Sequence, residues 1–230
     1  MAMNESQPQV SESVRRGIEK DAKDVARLYS TKPIRVIHGP RQYVIPVNYF
    51  SPKGKDNSDV FDAGTTKSNY FGFFLFLPEY GGYTQDNWRD QLDRRRIQVI
   101  QVKDVGAERK QSVNKAGYGE PHAQFENVKR GLEGQPSFHV YDLVGYRPRN
   151  SRVDAVWVGT RSNGEFFYFR SHLAPGDPPR KDGVFPFCDV RYFSEKEDLY
   201  IHYRYSNDHL AKWREIDDAI WTKLRSWRVK

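Results

Sequence analysis

An α+β fold, largely antiparallel sheet with an amphipathic C-terminal helix packed on it, is the class these 230 residues predict. Three observations carry that reading. Residues 70–77, Tyr-Phe-Gly-Phe-Phe-Leu-Phe-Leu, hold no charge in a chain whose mean hydropathy is −0.83, and Pro78 stops them. A short, uncharged, aromatic run of this kind reads as a strand covered on both faces, and we expect it to be the central strand. It is far shorter than the roughly 20 apolar residues that a membrane-spanning helix needs. β-type segments then recur at even spacing through the second half. Finally, Leu210, Trp213, Ile216, Ile220, Leu224 and Trp227 step by three or four, the stripe of a helix lying on a sheet.

From the start of the chain, residues 1–12 are polar and unpatterned and predict a disordered tail. Val14, Ile18, Ala22, Val25 and Leu28 recur at helical period and predict a short helix, ended by Lys32-Pro33. Runs 34–38 and 42–47 flank Gly39-Pro40-Arg41 and predict a hairpin, with Pro46 placing the second strand at a sheet edge. Residues 51–68 form a polar connection. After the aromatic run come a turn over 78–82, a helical piece over 86–93 and a strand over 96–102. Residues 103–136 scatter cations among Gly, Asn, Gln and Pro, as a boundary between lobes or a long functional loop would.

The chain is therefore divided into the tail, an N-terminal α+β lobe (13–102), a basic connecting region (103–136) and a β-rich lobe (137–230). The sheet is open to division into two sub-sheets near that connection. In the second lobe, strands are expected over 138–146, 153–160, 165–171, 184–193 and 199–205. Ser162-Asn163-Gly164 makes a tight hairpin turn, and 174–183 form a Pro/Gly-rich loop. The last helix, 207–228, has Ser206 or Asn207 as its N-cap, with Asp208 in the first turn and Arg225, Arg228 and Lys230 at the end the macrodipole favours for cations. Asp217 and Asp218 are read on its polar side.

A formal net charge of +7 leaves a basic surface, which suits nucleic acid, anionic lipid or an acidic protein. The single cysteine, Cys188, excludes an internal disulfide framework and a Cys-based zinc cluster, and reads as a small buried hydrophobe. Neither a Gly-x-Ser-x-Gly elbow nor a His-Glu-x-x-His motif is present. Gly64-Thr65-Thr66-Lys67-Ser68 lacks the upstream glycine of a phosphate loop, and the aromatic strand follows it instead of a helix. The six histidines show no ligand spacing; His202 and His209 are the pair nearest to meeting, across the strand-to-helix turn. Asp154 and Glu165, on facing strands, are the carboxylate pair a hydrolase would use, or else cross-strand partners of Arg152 and Arg170. Trp88 beside Arg89, Arg94, Arg95 and Arg96 is the best nucleic-acid candidate, but Asp86, Asp90 and Asp93 offset its charge. No catalytic residue, cofactor or metal ligand is assigned. Residues 1–30 contain no apolar segment of signal-peptide type.

Two stretches carry a family resemblance. One is Phe73-Phe74-Leu75-Phe76-Leu77-Pro78-x-Tyr80-x-Gly82-Tyr83-Thr84-x-x-Asn87. The other is Cys188-x-x-Arg191-x-Phe193, then Leu199-x-Ile201-x-Tyr203, Leu210-x-x-Trp213-x-x-Ile216 and Leu224-x-Ser226-Trp227. Together, over roughly 60 core-type positions, they resemble uncharacterised bacterial envelope proteins, some encoded beside type VI secretion effectors and regarded as immunity proteins. The resemblance implies a non-enzymatic binding protein that neutralises an effector toxin, with no cofactor; at a net +7 an acidic toxin is the complementary partner. Tyr80, Tyr83, Trp88, Arg94 and Arg95 are then the expected contact anchors, since aromatics and arginines dominate hot spots. Packing the ends of the aromatic strand is the competing role for the tyrosines. A hydrolase with a non-standard site, or a nucleic-acid-binding module, are the alternatives. The resemblance implies an exported chain, so the expected compartment is the periplasm or cell envelope where a leader has been removed, and the cytoplasm otherwise.

Overall fold

The computed structural model describes residues 29–50, 64–68, 70–84, 86–87, 94–104, 130, 133, 137–147, 155–171, 186–194 and 196–229. The expected tail, the helix over 14–28, Trp88 with the rest of 88–93, most of 103–136 and the loop over 174–183 lie outside them.

The first strands, β1 (Pro33–His38) and β2 (Arg41–Pro46), form the expected hairpin, and Gly39 takes the positive φ (57°) of its tight turn. β3 (Thr65–Lys67) adds to β1 in parallel, so the order is β2-β1-β3. Gly64-Thr65-Thr66-Lys67-Ser68 is therefore the approach to and body of a strand, not a phosphate loop. β2 ends in a 3-10 turn over Val47–Tyr49. Its outer edge is closed by the chain end, where Tyr43 bridges Arg228 and the Val229 amide donates to the Gln42 carbonyl.

The second sheet has eight strands: β4 (Tyr70–Phe76), β5 (Arg96–Asp104), β6 (Ser137–Val140), β7 (Leu143–Tyr146), β8 (Ala155–Thr160), β9 (Phe166–Ser171), β10 (Phe187–Ser194) and β11 (Leu199–Ser206). Their order is β4-β5-β11-β10-β9-β8-β7-β6, antiparallel throughout. The fold is thus two antiparallel-dominated sheets with one C-terminal helix. The division between sheets falls between β3 and β4 rather than near 103–136, because β5 before that segment pairs with β11 after it.

The aromatic run is buried on both faces, as its composition requires, but it stands at one end of the strand order rather than its centre. Phe71, Phe73 and Leu75 face the main core, while Phe74 and Phe76 pack on the other side against Tyr83 and Tyr29. The chain that covers this strand, rather than flanking strands, explains its lack of charge. Opposite it, β5 carries a bulge that resets the alternation, so Ile97, Val99 and Val102 all point inward. Gly72 lies over that bulge; a Cβ there would come within 2.6 Å of the Val99 carbonyl oxygen.

The segment read as one strand over 138–146 is a hairpin, β6–β7. Tyr141 and Asp142 both take positive φ (54° and 62°), a two-residue turn without the glycine that usually announces it. The Ser162-Asn163-Gly164 turn is as expected, with Gly164 at φ 86° and its amide donating to the Arg161 carbonyl.

After β11, the Ser206 hydroxyl caps a 3-10 segment, Asn207–Lys212, which kinks at His209 into helix α1, Trp213–Trp227. Near its start, Trp213 donates to the Tyr141 carbonyl in the β6–β7 turn, and Glu215 accepts from Tyr80 just past β4. Both ends of the strand order therefore reach the helix, and the sheet wraps around it. Trp227 closes the far end between Tyr49 and Phe73, at ring separations of 4.7 and 5.0 Å. The buried stripe is wider than six apolar residues, because Asp217 and Trp221 join it. Asp218 stays on the polar side, accepting from Ser162 at 2.6 Å.

Candidate partner-binding surface

Of the acids that the sequence singles out, Asp217 is committed to the interior and Glu165 is half-buried beside it. Asp217, 1% exposed, accepts from Arg161 Nε at 2.7 Å on one oxygen and from the hydroxyls of Tyr192 and Tyr203 on the other. The Trp221 indole donates in turn to the Tyr192 oxygen, and the Arg161 guanidinium lies 4.7 Å over the Tyr192 ring. Burial pushes the Asp217 carboxyl upward, while Arg161 and the two phenols pull it back. Arg161 also pairs with Glu165, which accepts from Ser194, the Lys196 amide and Asn163. Burial works against ionisation of Glu165, but those donors and Arg161 outweigh it and hold its pKa below the usual value. This is a saturated network that locks the helix to β10, β11 and the β8–β9 turn. Asp154, the other half of the acid pair read from sequence, lies outside the described residues.

The expected contact anchors separate. Tyr83 turns inward, 7% exposed, with its ring 5.1 Å from Phe76, and so packs the strand end. Trp88 lies outside the described residues. Tyr80, at φ 53°, is partly buried and reaches Glu215 at 2.7 Å; burial and then Glu215 push its phenol up. Arg94 is exposed and pairs with Asp208 at 2.9 Å, its carbonyl lying 3.0 Å from His209 Nε2. The exposed Arg95 accepts from the Leu77 amide through its backbone. Tyr80 thus borders the start of α1 through Glu215, and Arg94 borders the 3-10 segment before it through Asp208 and His209, while Arg95 is tied to the end of the aromatic run. His202 is elsewhere, on the sheet's outer face beside Asp189. Among the described residues, no group of three His, Cys, Asp or Glu side chains could hold a metal ion. Cys188 is fully buried, which pushes its thiol up.

A second surface emerges only from strand register. Cys188, Val190, Tyr192, Ile201, Tyr203 and Tyr205 face the core, so Asp189, Arg191, His202 and Arg204 point to the convex outer face. Register places Asp189 directly between Arg170 on β9 and Arg204 on β11. Asp189 takes Arg191 Nε and Arg204 Nε at 2.6 Å each, with His202 Nε2 at 3.3 Å. Burial resists ionisation of Asp189, but hydrogen bonds from His202, Arg191 and Arg204 hold its pKa well below the usual carboxylate range. Arg204 stacks 4.8 Å over Phe187, while burial raises the Tyr168 phenol against the pull of neighbouring Arg170 and Arg191. The period-two spacings Asp189-x-Arg191 and His202-x-Arg204 were the sequence signal for this cluster.

The fold is similar to that of one solved structure, described as Smlt3025, an immunity protein of the Stenotrophomonas maltophilia type IV secretion system. The likeness covers 88% of this chain and 95% of that one, at a TM-score of 0.54 and 14% identity. No protein-family model and no curated protein matches the chain.

Proposed function

We propose that the chain is a non-enzymatic immunity protein, which binds and neutralises the effector of a bacterial secretion system. The observation that carries this reading is the fold shared with Smlt3025 along nearly the whole of both chains. The family resemblance of residues 73–87 and 188–227 points the same way and names type VI as the system, where the solved neighbour belongs to type IV. An immunity role is common to both. Such a protein needs a rigid scaffold and a complementary surface, and the packing supplies the first: helix and sheet are joined by the Asp217 network and by an aromatic core. A basic chain meets an acidic effector at an enhanced rate. We place the encounter in the periplasm or cell envelope where a leader has been removed, and in the cytoplasm otherwise.

The test is to express the product of the neighbouring gene in a bacterial host with and without this chain. Restored growth, together with a complex that co-elutes on size exclusion, is the expected result. Unrelieved toxicity with no complex would overturn the reading.

A further inference from the structure

We propose that the arginine cluster around Asp189 is a docking surface for a carboxylate-rich segment of a partner protein. The proposal deepens the binding function above and rests on it for the identity of the partner, though not for the chemistry of the surface. Among the described residues, the outward positions of β9, β10 and β11 carry one carboxylate, Asp189, against Arg170, Arg191 and Arg204. Register sets Asp189 directly opposite Arg170 and Arg204, with Arg191 two positions along β10, so three guanidinium groups gather round one carboxylate and leave an excess of positive charge on this face. Asp189 offsets part of that charge and orients two of the guanidinium groups, while Phe187 stacks beneath one of them. Arg170 is exposed, and the side chains of Arg191 and Arg204 are 54% and 38% exposed. The result is a set of forked donors held in place before any partner arrives, which lowers the ordering cost of binding carboxylates.

The size of the patch selects a protein. Three strands span about 10 Å, too little to follow a run of phosphates. Tyr168, Phe187, Phe193 and Tyr200 around it are half-buried rather than projecting, so they do not offer the stacking platforms that single-stranded nucleic acid uses. Arginines set among partly buried aromatics are instead the composition of an interface centre.

An oligoglutamate peptide is the first probe, with binding followed by fluorescence anisotropy at low salt. It is expected to bind the wild type and to lose at least about tenfold in affinity when Arg170, Arg191 and Arg204 are all changed to alanine. Lys32→Ala/Arg35→Ala/Lys67→Ala, which removes the same charge from exposed positions on or beside the three-stranded sheet, should keep binding. Arg170→Ala/Arg191→Ala leaves the Arg204–Asp189 pair intact and serves if the triple variant unfolds. Equal loss in both sets, or a single-stranded DNA oligonucleotide displacing the peptide, overturns the proposal. A neighbouring-gene effector that is neutralised fully by the arginine-cluster variant overturns this surface while leaving the immunity function standing. Peptide binding that depends on the cluster, with no effector bound, supports the surface and removes the immunity function.

Discussion

Substituting Asp217 by alanine leaves the Arg161 guanidinium, whose side chain is 2% exposed, in the core with Glu165 as its remaining acidic partner, and takes the acceptor from Tyr192 and Tyr203. Removing one partner of a buried ion pair costs about 3–5 kcal/mol, and each buried hydroxyl left unbonded adds roughly 1 kcal/mol or more. Glu165 retains part of the compensation, which places the total at about 4–6 kcal/mol. Against a total stability of about 5–15 kcal/mol that is enough to unfold a large share of the molecules. In a chain of this length it corresponds to a fall in Tm of about 10–20 °C. Urea unfolding with fitted m-values measures it, since an unchanged m identifies a true stability loss. Asp217→Leu combined with Arg161→Met should recover at least half, because a matched apolar pair avoids desolvating two charges. A loss below about 1 kcal/mol for Asp217→Ala, or a double variant worse than the sum of its singles, would refute the reasoning.

Gly72→Ala should cost about 1–3 kcal/mol, because the new Cβ meets the Val99 and Ile100 carbonyl oxygens at 2.6 and 2.8 Å and backbone cannot give way as a side chain does. Gly81→Ala, with nothing within 4 Å, is the control, and thermal melts of both separate close packing from a general dislike of alanine. Glu165 and Asp189 both have folded pKa values below their unfolded ones, so their contribution to stability is complete above the unfolded value of about 4 and is lost as pH falls from there through the folded values. Asp217, raised by burial, acts in the opposite sense, and Glu165→Gln isolates one contribution: the stability difference between neutral and acid pH in urea should be smaller in that variant than in wild type.

The parts of this fold that were legible in the sequence are those set by composition and local spacing. The aromatic run had to be buried on both faces, the Gly164 turn had to be a hairpin, and the apolar stripe from Leu210 to Trp227 had to lie on a sheet. The rest depends on partners far along the chain. The run's place at the end of the sheet follows from Tyr29 and Tyr83 covering one face, which no local pattern announces. Tyr141-Asp142 hides a turn because neither residue is glycine, yet both adopt the left-handed conformation. Asp217 looked like a surface acid because the charge that admits it to the core, Arg161, sits 56 positions away. The arginine cluster needs the registers of β9, β10 and β11 together, so only its alternating polar positions were visible beforehand. Tyr83 shows the reverse case, where an aromatic beside a turn serves packing.

The association rate of this chain with the neighbouring gene's product, followed by stopped-flow fluorescence as salt is raised, tests the account most directly. A nanomolar complex is expected, with an on-rate that falls by about tenfold or more between low and high salt, as steering between a +7 chain and an acidic effector requires. No complex at micromolar concentrations, or a rate indifferent to salt, would contradict it.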